Sequence, residues 1–332
     1  MTRVLSGIQP TGEIHLGNYV GAVQHWVLDQ HVHDSFFCVV DLHALTSEQD
    51  PALLRAKTLQ MATFLLAGGL DPDVCTLFVQ SHVPQHTELS WLLECVASYG
   101  ELRRMTQFKD KTVAGDEGSA RVGLFTYPVL MAADILAYQA DRVPVGDDQR
   151  QHLELCRDLA IRFNTRYGDT FVVPEAAIPP VGARIMDLQD PTQKMSKSRS
   201  SPQGKILALE APEVITRKIM RAMTDADNEV RFDRDAKPGV SNLLELLAVA
   251  GGGTTTDLAT GYSGYGALKK DVAEAVVTYL EPVRTRYAEL IEAPDHVLKV
   301  LDAGADKARS TAGPNLAKAR AAMGLLPGSE MG

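Results

Sequence analysis

Short apolar runs alternate with stretches of helical periodicity through the first part of this chain, and that alternation limits its fold more than any other feature. Residues 3 to 8, Ser35 to Val40 and Val74 to Gln80 read as buried strands, being short, apolar and bounded by turn-forming residues. After the first of them the chain turns at Pro10-Thr11-Gly12 and enters a helix from about Gly17. In that helix Val20, Val23 and Val27 recur at helical spacing, with Trp26 near the same side. Asp50-Pro51 reads as the cap and first turn of a further helix, and Gly68-Gly69 as its stop. Thr87 to Tyr99 reads as another, turning Leu89, Leu92, Leu93 and Val96 inward. Parallel strands need crossover connections, usually helices, so the alternation specifies a parallel sheet covered on both faces.

Further on, Thr112 to Arg121 is a polar, glycine-containing loop, and Leu124 to Gln139 a helix with Pro128 in or near its first turns. Arg142 to Val145 is a short strand, and Asp147 to Arg166 a helix stopped by Gly168. From about Asp187 the strand-like runs cease and helical periodicity dominates. At 332 residues the chain exceeds the usual single-domain size, so a large α/β unit with a smaller helical one follows. Gly251-Gly252-Gly253 is a turn between helices rather than a phosphate cradle, because no strand precedes it. The tail after Pro327 is short and expected to fray.

No apolar run reaches the roughly 18 residues of a membrane span, and no basic segment leads into a long apolar one at the start. These features point to a cytosolic globular protein. A net charge of −9 argues against a broadly basic nucleic-acid coat protein. It leaves room for a local basic face, and Arg103, Arg104, Lys109 and Lys111 form one cluster that is either such a face or a solvated helix side. The cysteines Cys38, Cys75, Cys95 and Cys156 are scattered without a Cys-x-x-Cys pair and read as reduced core residues. His31 with His33, and His82 with His86, have spacings a metal could use. Neither pair has the carboxylate or thiolate that would complete a site, so no metal held by the protein is expected.

Two segments carry phosphate chemistry. Thr11-Gly12-Glu13-Ile14-His15-Leu16-Gly17-Asn18 follows the first strand. A polyphosphate lying there would meet free N–H groups and the positive end of the helix dipole, with donors from His15 and Asn18, and Gly17 would let a flat base approach. Past the middle of the chain, Lys194-Met195-Ser196-Lys197-Ser198 offers two ammonium groups on a loop. Either segment alone also fits an ordinary turn or a solvated loop. Together they suit attack by a carboxylate on an α-phosphorus. The carboxylate is already ionised at neutral pH, so the step needs alignment and charge neutralisation rather than a strong base.

This pair resembles the signatures of the class I aminoacyl-tRNA synthetases, with His15-Leu16-Gly17-Asn18 in place of "HIGH" and residues 194 to 198 matching "KMSKS" in full. Gly7-Ile8-Gln9-Pro10-Thr11-Gly12, Asp41-Leu42-His43-Ala44, Met131-Ala132-Ala133-Asp134-Ile135-Leu136, Val143-Pro144-Val145-Gly146-Asp147-Asp148-Gln149 and Ala236-Lys237-Pro238-Gly239 are similar to the bacterial tryptophan-specific branch. The likeness spans nearly the whole chain. It implies activation of L-tryptophan by ATP to tryptophanyl-adenylate and pyrophosphate, followed by transfer to tRNA(Trp), in a cytoplasmic homodimer.

For the fold, the resemblance implies an α/β protein: a Rossmann-like parallel-sheet catalytic domain over residues 1–188, with a smaller all-helical domain. The C-terminal helix, about 294–326, would pack back on the catalytic domain. Residues 189–293 would form the helical anticodon-recognition domain, carrying the lysine loop at its start. For the site, it assigns catalysis to Gln9, Lys111, Lys194 and Lys197. ATP would be bound by Gln9, Pro10, Thr11, His15, Gly17, Asn18, Gly146, Asp147, Asp148, Ile185, Lys194, Met195, Ser196, Lys197 and Ser198, with Mg²⁺ held mainly by the ATP phosphates. Tryptophan would be bound by Leu5, Gly7, His43, Tyr127, Met131, Asp134, Val145 and Gln149. Of these, Asp134 would accept the indole N–H, while Tyr127 and Gln149 would hold the ammonium group.

The chemistry of indole agrees, since a ring with one donor wants apolar walls and one acceptor. A carboxylate left unpaired would reject phenylalanine by about 10⁴ to 10⁵, so editing is unnecessary. The chain departs from relatives at Leu5, where several have phenylalanine, at His15, where threonine is frequent, and at Arg199-Ser200-Ser201, where Asp-Pro-Asn is common. Two alternatives stay open. A tyrosyl-tRNA synthetase shares both signatures but would surround a phenol with a tyrosine and aspartate pair. A non-catalytic paralogue would bind adenylate or tRNA, against which the intact Lys194, Lys197 and Asp134 argue.

Overall fold

A computed structural model of the chain describes residues 1–106, 108, 121–144, 146, 149–177, 184–196 and 200–327. Among them five strands form one sheet in the order β3-β2-β1-β4-β5, with every pairing parallel. They are β1 (Arg3–Ile8), β2 (Asp34–Val39), β3 (Thr76–Val79), β4 (Arg142–Pro144) and β5 (Glu175–Ala177). Successive side chains of a strand point to opposite faces, and here the two faces enter different cores. Phe37, Val39, Leu77 and Val79 join one; Leu5, Phe36, Cys38 and Phe78 join the other. Burial on both sides explains why β1, β2 and β3 read as apolar runs.

The chain lays down β1, β2 and β3 outward in one direction, then returns to start β4 on the opposite side of β1. At this reversal the sheet opens. β1 runs beside β2 from Arg3 with Asp34 to Ile8 with Val39, but meets β4 at a single pair, Val4 with Arg142. Among the described residues, the carboxyl half of β1 therefore has no strand on that side.

The crossover helices follow their local signals. Asp50 caps α4 (Pro51–Ala67), its Oδ1 accepting from Leu53 N at 2.8 Å, and Gly68 closes it. Helix α8 (Arg150–Tyr167) stops at Gly168, whose φ of +92° suits glycine. Two expectations about the helices are corrected. The helix after the first motif is α-helical at α1 (Leu16–Asn18) and α2 (Gln24–Asp29) but π-helical between them at Tyr19–Val23. The stretch from Thr87 to Tyr99 is two helices, α5 (Gln85–Glu94) and α6 (Tyr99–Arg103), because Ser98 and Glu101 form a capping box that starts a new one. Strand β5 has two of its three residues exposed and so lacks an apolar run to announce it. Cys38, Cys75 and Cys156 are buried, whereas Cys95 at the end of α5 is exposed and is no core residue. Lys109 and Lys111 of the basic cluster, residues 112–120 of the polar loop and the tail beyond Pro327 lie outside the described residues.

Past residue 187 the regular elements of the described chain are helices: α9 (Pro212–Met220), α10 (Pro238–Gly251), α11 (Thr255–Ala259), α12 (Tyr265–Ile291) and α13 (Pro294–Ala322). Helix α10 ends at the glycine turn, with Gly252 and Gly253 both at positive φ. No helix among the described residues is long and apolar enough to cross a membrane. Helix α13 lies against the sheet's edge at β3. Arg309 Nη1 donates to the His82 carbonyl at 2.6 Å, and Asn315 Nδ2 to the Ala137 carbonyl at 2.8 Å.

Closest approach falls at Gly304, where a Cβ would stand 1.9 Å from the Leu77 carbonyl oxygen. Gly304→Ala should therefore cost about 2 kcal/mol or more through forced separation of helix and strand. Gly313→Ala, where the nearest atom is a Gln85 side-chain nitrogen at 4.0 Å, should instead raise stability by up to about 1 kcal/mol through helix propensity. Urea unfolding of both variants checks the seating; equal effects would refute it.

Candidate active site

The gap left between β1 and β4 is a cavity of about 540 Å³ at the carboxyl ends of the strands. This is where open α/β sheets bind ligands, since the connections on either side of a reversal leave in opposite directions. Leu5, Ser6, Gly7 and Ile8 of β1 form its floor, with Val143 and Pro144 of β4 opposite. Gly21, Ala22, His25 and Trp26 enter from the first helical run, and Tyr127, Met131, Asp134 and Ile135 from α7 (Val122–Leu136). The walls are mainly apolar. Cys38 adds to that character, since burial, then the nearby Asp134 and Asp41, push its thiol well above the ordinary range. At Gly7 a Cβ would come within 2.8 Å of Val40 Cγ1, so the floor admits no side chain there.

Among the described residues that line this cavity, Asp134 is the one carboxylate. Asp134 is buried and accepts three hydrogen bonds, from Gln80 Nε2 at 2.7 Å and His86 Nδ1 at 2.6 Å on Oδ1, and from His43 Nε2 at 2.7 Å on Oδ2. Burial alone would raise its pKa. The His43 ring, and then His86, outweigh that and hold the carboxyl below its ordinary value of 3.8, so it is ionised at neutral pH. Two turns earlier on the same helix, Tyr127 Oη lies 2.7 Å from His152 Nε2, and burial pushes the phenol up to about 12. It stays protonated and hydrogen-bonds as a neutral hydroxyl.

The residues expected to hold the amino acid come together here: Leu5, Gly7, His43, Tyr127, Met131, Asp134 and Gln149 all line the cavity, as do Gln9 and Gly146 of the nucleotide set. A second group assembles beside it around the first helix. His15 is the N-cap, its Nδ1 accepting from Asn18 N at 3.3 Å, and Pro10 is buried while Thr11 is partly so. Gly17 sits under the His15 ring, with Ile185 Cβ 3.7 Å from the place a Cβ would take. Asn18 Oδ1 is buried and has no hydrogen-bond partner among the described residues, which leaves unused capacity beside Gly17.

The two signatures meet at Ile185. Its carbonyl accepts from Met195 N at 3.1 Å, and Met186 pairs with Lys194 in an antiparallel bridge, leaving Lys194 exposed and Met195 buried. Ser196 N donates to Ser200 Oγ at 2.9 Å. A further bridge joins His15 to Leu207, with Leu16 N on the Ile206 carbonyl at 2.8 Å and Ala208 N on the Ile14 carbonyl at 2.9 Å. Lys111, Val145, Asp147, Asp148, Lys197 and Ser198 lie outside the described residues. Among the described residues no group of three or more His, Cys, Asp or Glu side chains could hold a metal ion.

Sequence reasoning missed Gln80, His86, Tyr138 and His152. Gln80 had a positional signal, since it follows the carboxyl end of a parallel strand. His86 showed only its spacing from His82, and nothing local ties it to a carboxylate 48 positions away.

Comparison with known proteins gives the following. The family model described as "tRNA synthetases class I (W and Y)" matches residues 1–281. A protein of Streptomyces avermitilis named tryptophan–tRNA ligase 1 is 55% identical over 329 residues, covering 98% of this chain and 99% of its own. The crystal structure of a tryptophanyl-tRNA synthetase from Mycoplasma pneumoniae superposes with a TM-score of 0.88 at 37% identity, covering 98% of both chains. That of the Campylobacter jejuni synthetase, complexed with ADP and tryptophan, gives 0.85 at 35% identity, over 98% of this chain and 100% of the other.

Asp134→Asn would turn one of three donors against another donor, and should cost about 3 kcal/mol at pH 7. The folded carboxyl titrates below 3.8, its ordinary value. Its contribution is therefore complete above that pH and fades as acid is added. The stability gap between the two proteins should narrow toward about pH 3. Urea unfolding at both pH values checks this; a gap independent of pH would rule out the carboxylate as its source.

Proposed function

The chain belongs to the class I tRNA synthetases of the W and Y group, and on that premise we propose that it is a tryptophan–tRNA ligase. It joins L-tryptophan to ATP, releasing pyrophosphate, and then passes the tryptophanyl group to tRNA(Trp). The observation that carries this reading is the cavity itself, an apolar slot into which an ionised carboxylate, Asp134, presents an acceptor. Indole has one N–H and otherwise apolar edges, and the slot suits it. A tyrosine ring offers an oxygen that also needs a donor, which the acceptor-only Asp134 does not provide.

In this reading the cavity orients the amino acid so that its carboxylate faces the α-phosphorus of ATP. His43, Met131, Val145, Leu5 and Gly7 enclose the ring, while Tyr127 and Gln149 hold the ammonium group. Gln9, Pro10, Thr11, His15, Gly17, Asn18, Gly146, Asp147, Asp148 and Ile185 bind ATP, and the 194–198 loop covers its phosphates. The close seat of Ile185 over Gly17, tied to Met195, supports that assignment by bringing both signatures to one place. The substrate carboxylate is the nucleophile; it forms the acyl–phosphate bond as the bond to pyrophosphate breaks. Gln9, Lys111, Lys194 and Lys197 stabilise the charge that moves onto the leaving group. Mg²⁺ when bound supplies further neutralisation, carried on the phosphates. The same reading takes residues 189–293 as the anticodon-recognition domain and the protein as a cytoplasmic homodimer.

Amino-acid-dependent ATP–pyrophosphate exchange tests the assignment. Tryptophan should support exchange, with tyrosine and phenylalanine lower by about 10⁴ or more; equal exchange with tyrosine would sink it, and none at all would favour a binding protein. Lys197→Ala should slow adenylate formation about a hundredfold in single-turnover measurements with little change in tryptophan affinity. An unchanged rate would remove the loop from the mechanism.

A further inference from the structure

Asp134 is held by more than its exposure to the ligand requires. A carboxylate has about four acceptor positions, and three are occupied: two on Oδ1 by Gln80 and His86, one on Oδ2 by His43. The donors are themselves braced. Gln80 Oε1 accepts from Leu42 N at 3.1 Å, and His86 Nε2 lies 2.7 Å from Tyr138 Oη. Tyr138 is fully buried, its ring 4.9 Å from Phe36 and 5.6 Å from Phe78. Its phenol stays protonated in that apolar setting. With Nδ1 directed at the carboxylate, Nε2 is left to the Tyr138 hydroxyl.

We infer that His86, braced by Tyr138, is a positioning residue for amino-acid selection. It occupies the second acceptor position of Asp134 Oδ1, so that the carboxylate presents the incoming ring with one acceptor, on Oδ2, in one fixed direction. This rests on the reading of the cavity as the tryptophan site. Without the His86 donor, Oδ1 would keep only Gln80, and the buried carboxylate would turn toward any available donor. The pocket would then lose its sharp preference for a ring bearing N–H over the same ring without it.

The test compares tryptophan with β-(3-benzothienyl)alanine, in which sulfur replaces the ring N–H, in ATP–pyrophosphate exchange. In His86→Leu the ratio of kcat/KM between the two should fall about 10- to 100-fold, a range typical of losing an outer hydrogen-bond partner. The fall should come mainly through a higher KM for tryptophan, more than through kcat. A second pair keeps the test independent of how well that variant folds. His86→Asn places an amide nitrogen near the Nδ1 position and should keep most of the ratio, whereas His86→Gln reaches toward Nε2 and should lose it. Equal ratios in Asn, Gln and the unaltered protein would overturn the inference, as would a drop in kcat for both amino acids at constant ratio, which marks a merely structural role. An unaltered protein that exchanges with neither amino acid would instead count against the proposed function.

Discussion

The separation of β1 from β4 after one residue pair is the constraint on which the rest of the molecule depends. A parallel sheet that grows first one way and then the other must leave two crossovers departing in opposite directions, and the space between them cannot be filled by a strand. Here the pairing stops at Val4 and Arg142, so Ser6, Gly7 and Ile8 of β1 line the opening. Helices from both sides then supply walls. The first helical run contributes Gly21, Ala22 and His25, and α7 contributes Tyr127, Met131 and Asp134. Each wall is anchored in a core on its own side of the sheet, which makes the cavity a consequence of the topology.

Within that cavity the central energetic problem is a buried carboxylate. Taking it out of water costs several kcal/mol unless its lone pairs are met, and no lysine or arginine is among its hydrogen-bond partners. The protein meets the cost with three N–H donors drawn from three separate elements. The group is ionised and fixed from three sides, so its remaining acceptor capacity is strong and sharply directed. A ring without a donor would leave it partly unpaired, and that asymmetry is the physical source of selectivity in a pocket of this kind.

How much of this could be read beforehand follows the range of each interaction. Strands β1, β2 and β3 were legible because burial on both faces made them continuous apolar runs, and the Asp50 cap and the Gly168 stop because they are chemistry within one turn of chain. Ser98 and Glu101 carried a legible capping box as well, three positions apart, though the apolar period running through Leu89 to Val96 masked it. Strand β5 has little side-chain signal, being held by backbone pairing to β4. The Asp134 network was not legible, since its donors stand 48, 54 and 91 positions away and converge only once the sheet has formed. The residues that line the cavity were identified through resemblance rather than spacing.

The seat of α13 on β3 also sets an order of events during synthesis. β3 is an edge strand, and its neighbour on the open side is a helix whose Arg309 contacts His82 across 227 positions of chain. At about 5–20 residues per second, the ribosome delivers that helix on the order of ten to fifty seconds after the strand. For that interval an apolar strand edge faces the surroundings with its cover not yet made, the arrangement most prone to pair with another nascent chain. A truncated product ending before α13 would keep that edge open, which makes the last long helix a lock on aggregation as well as part of the fold.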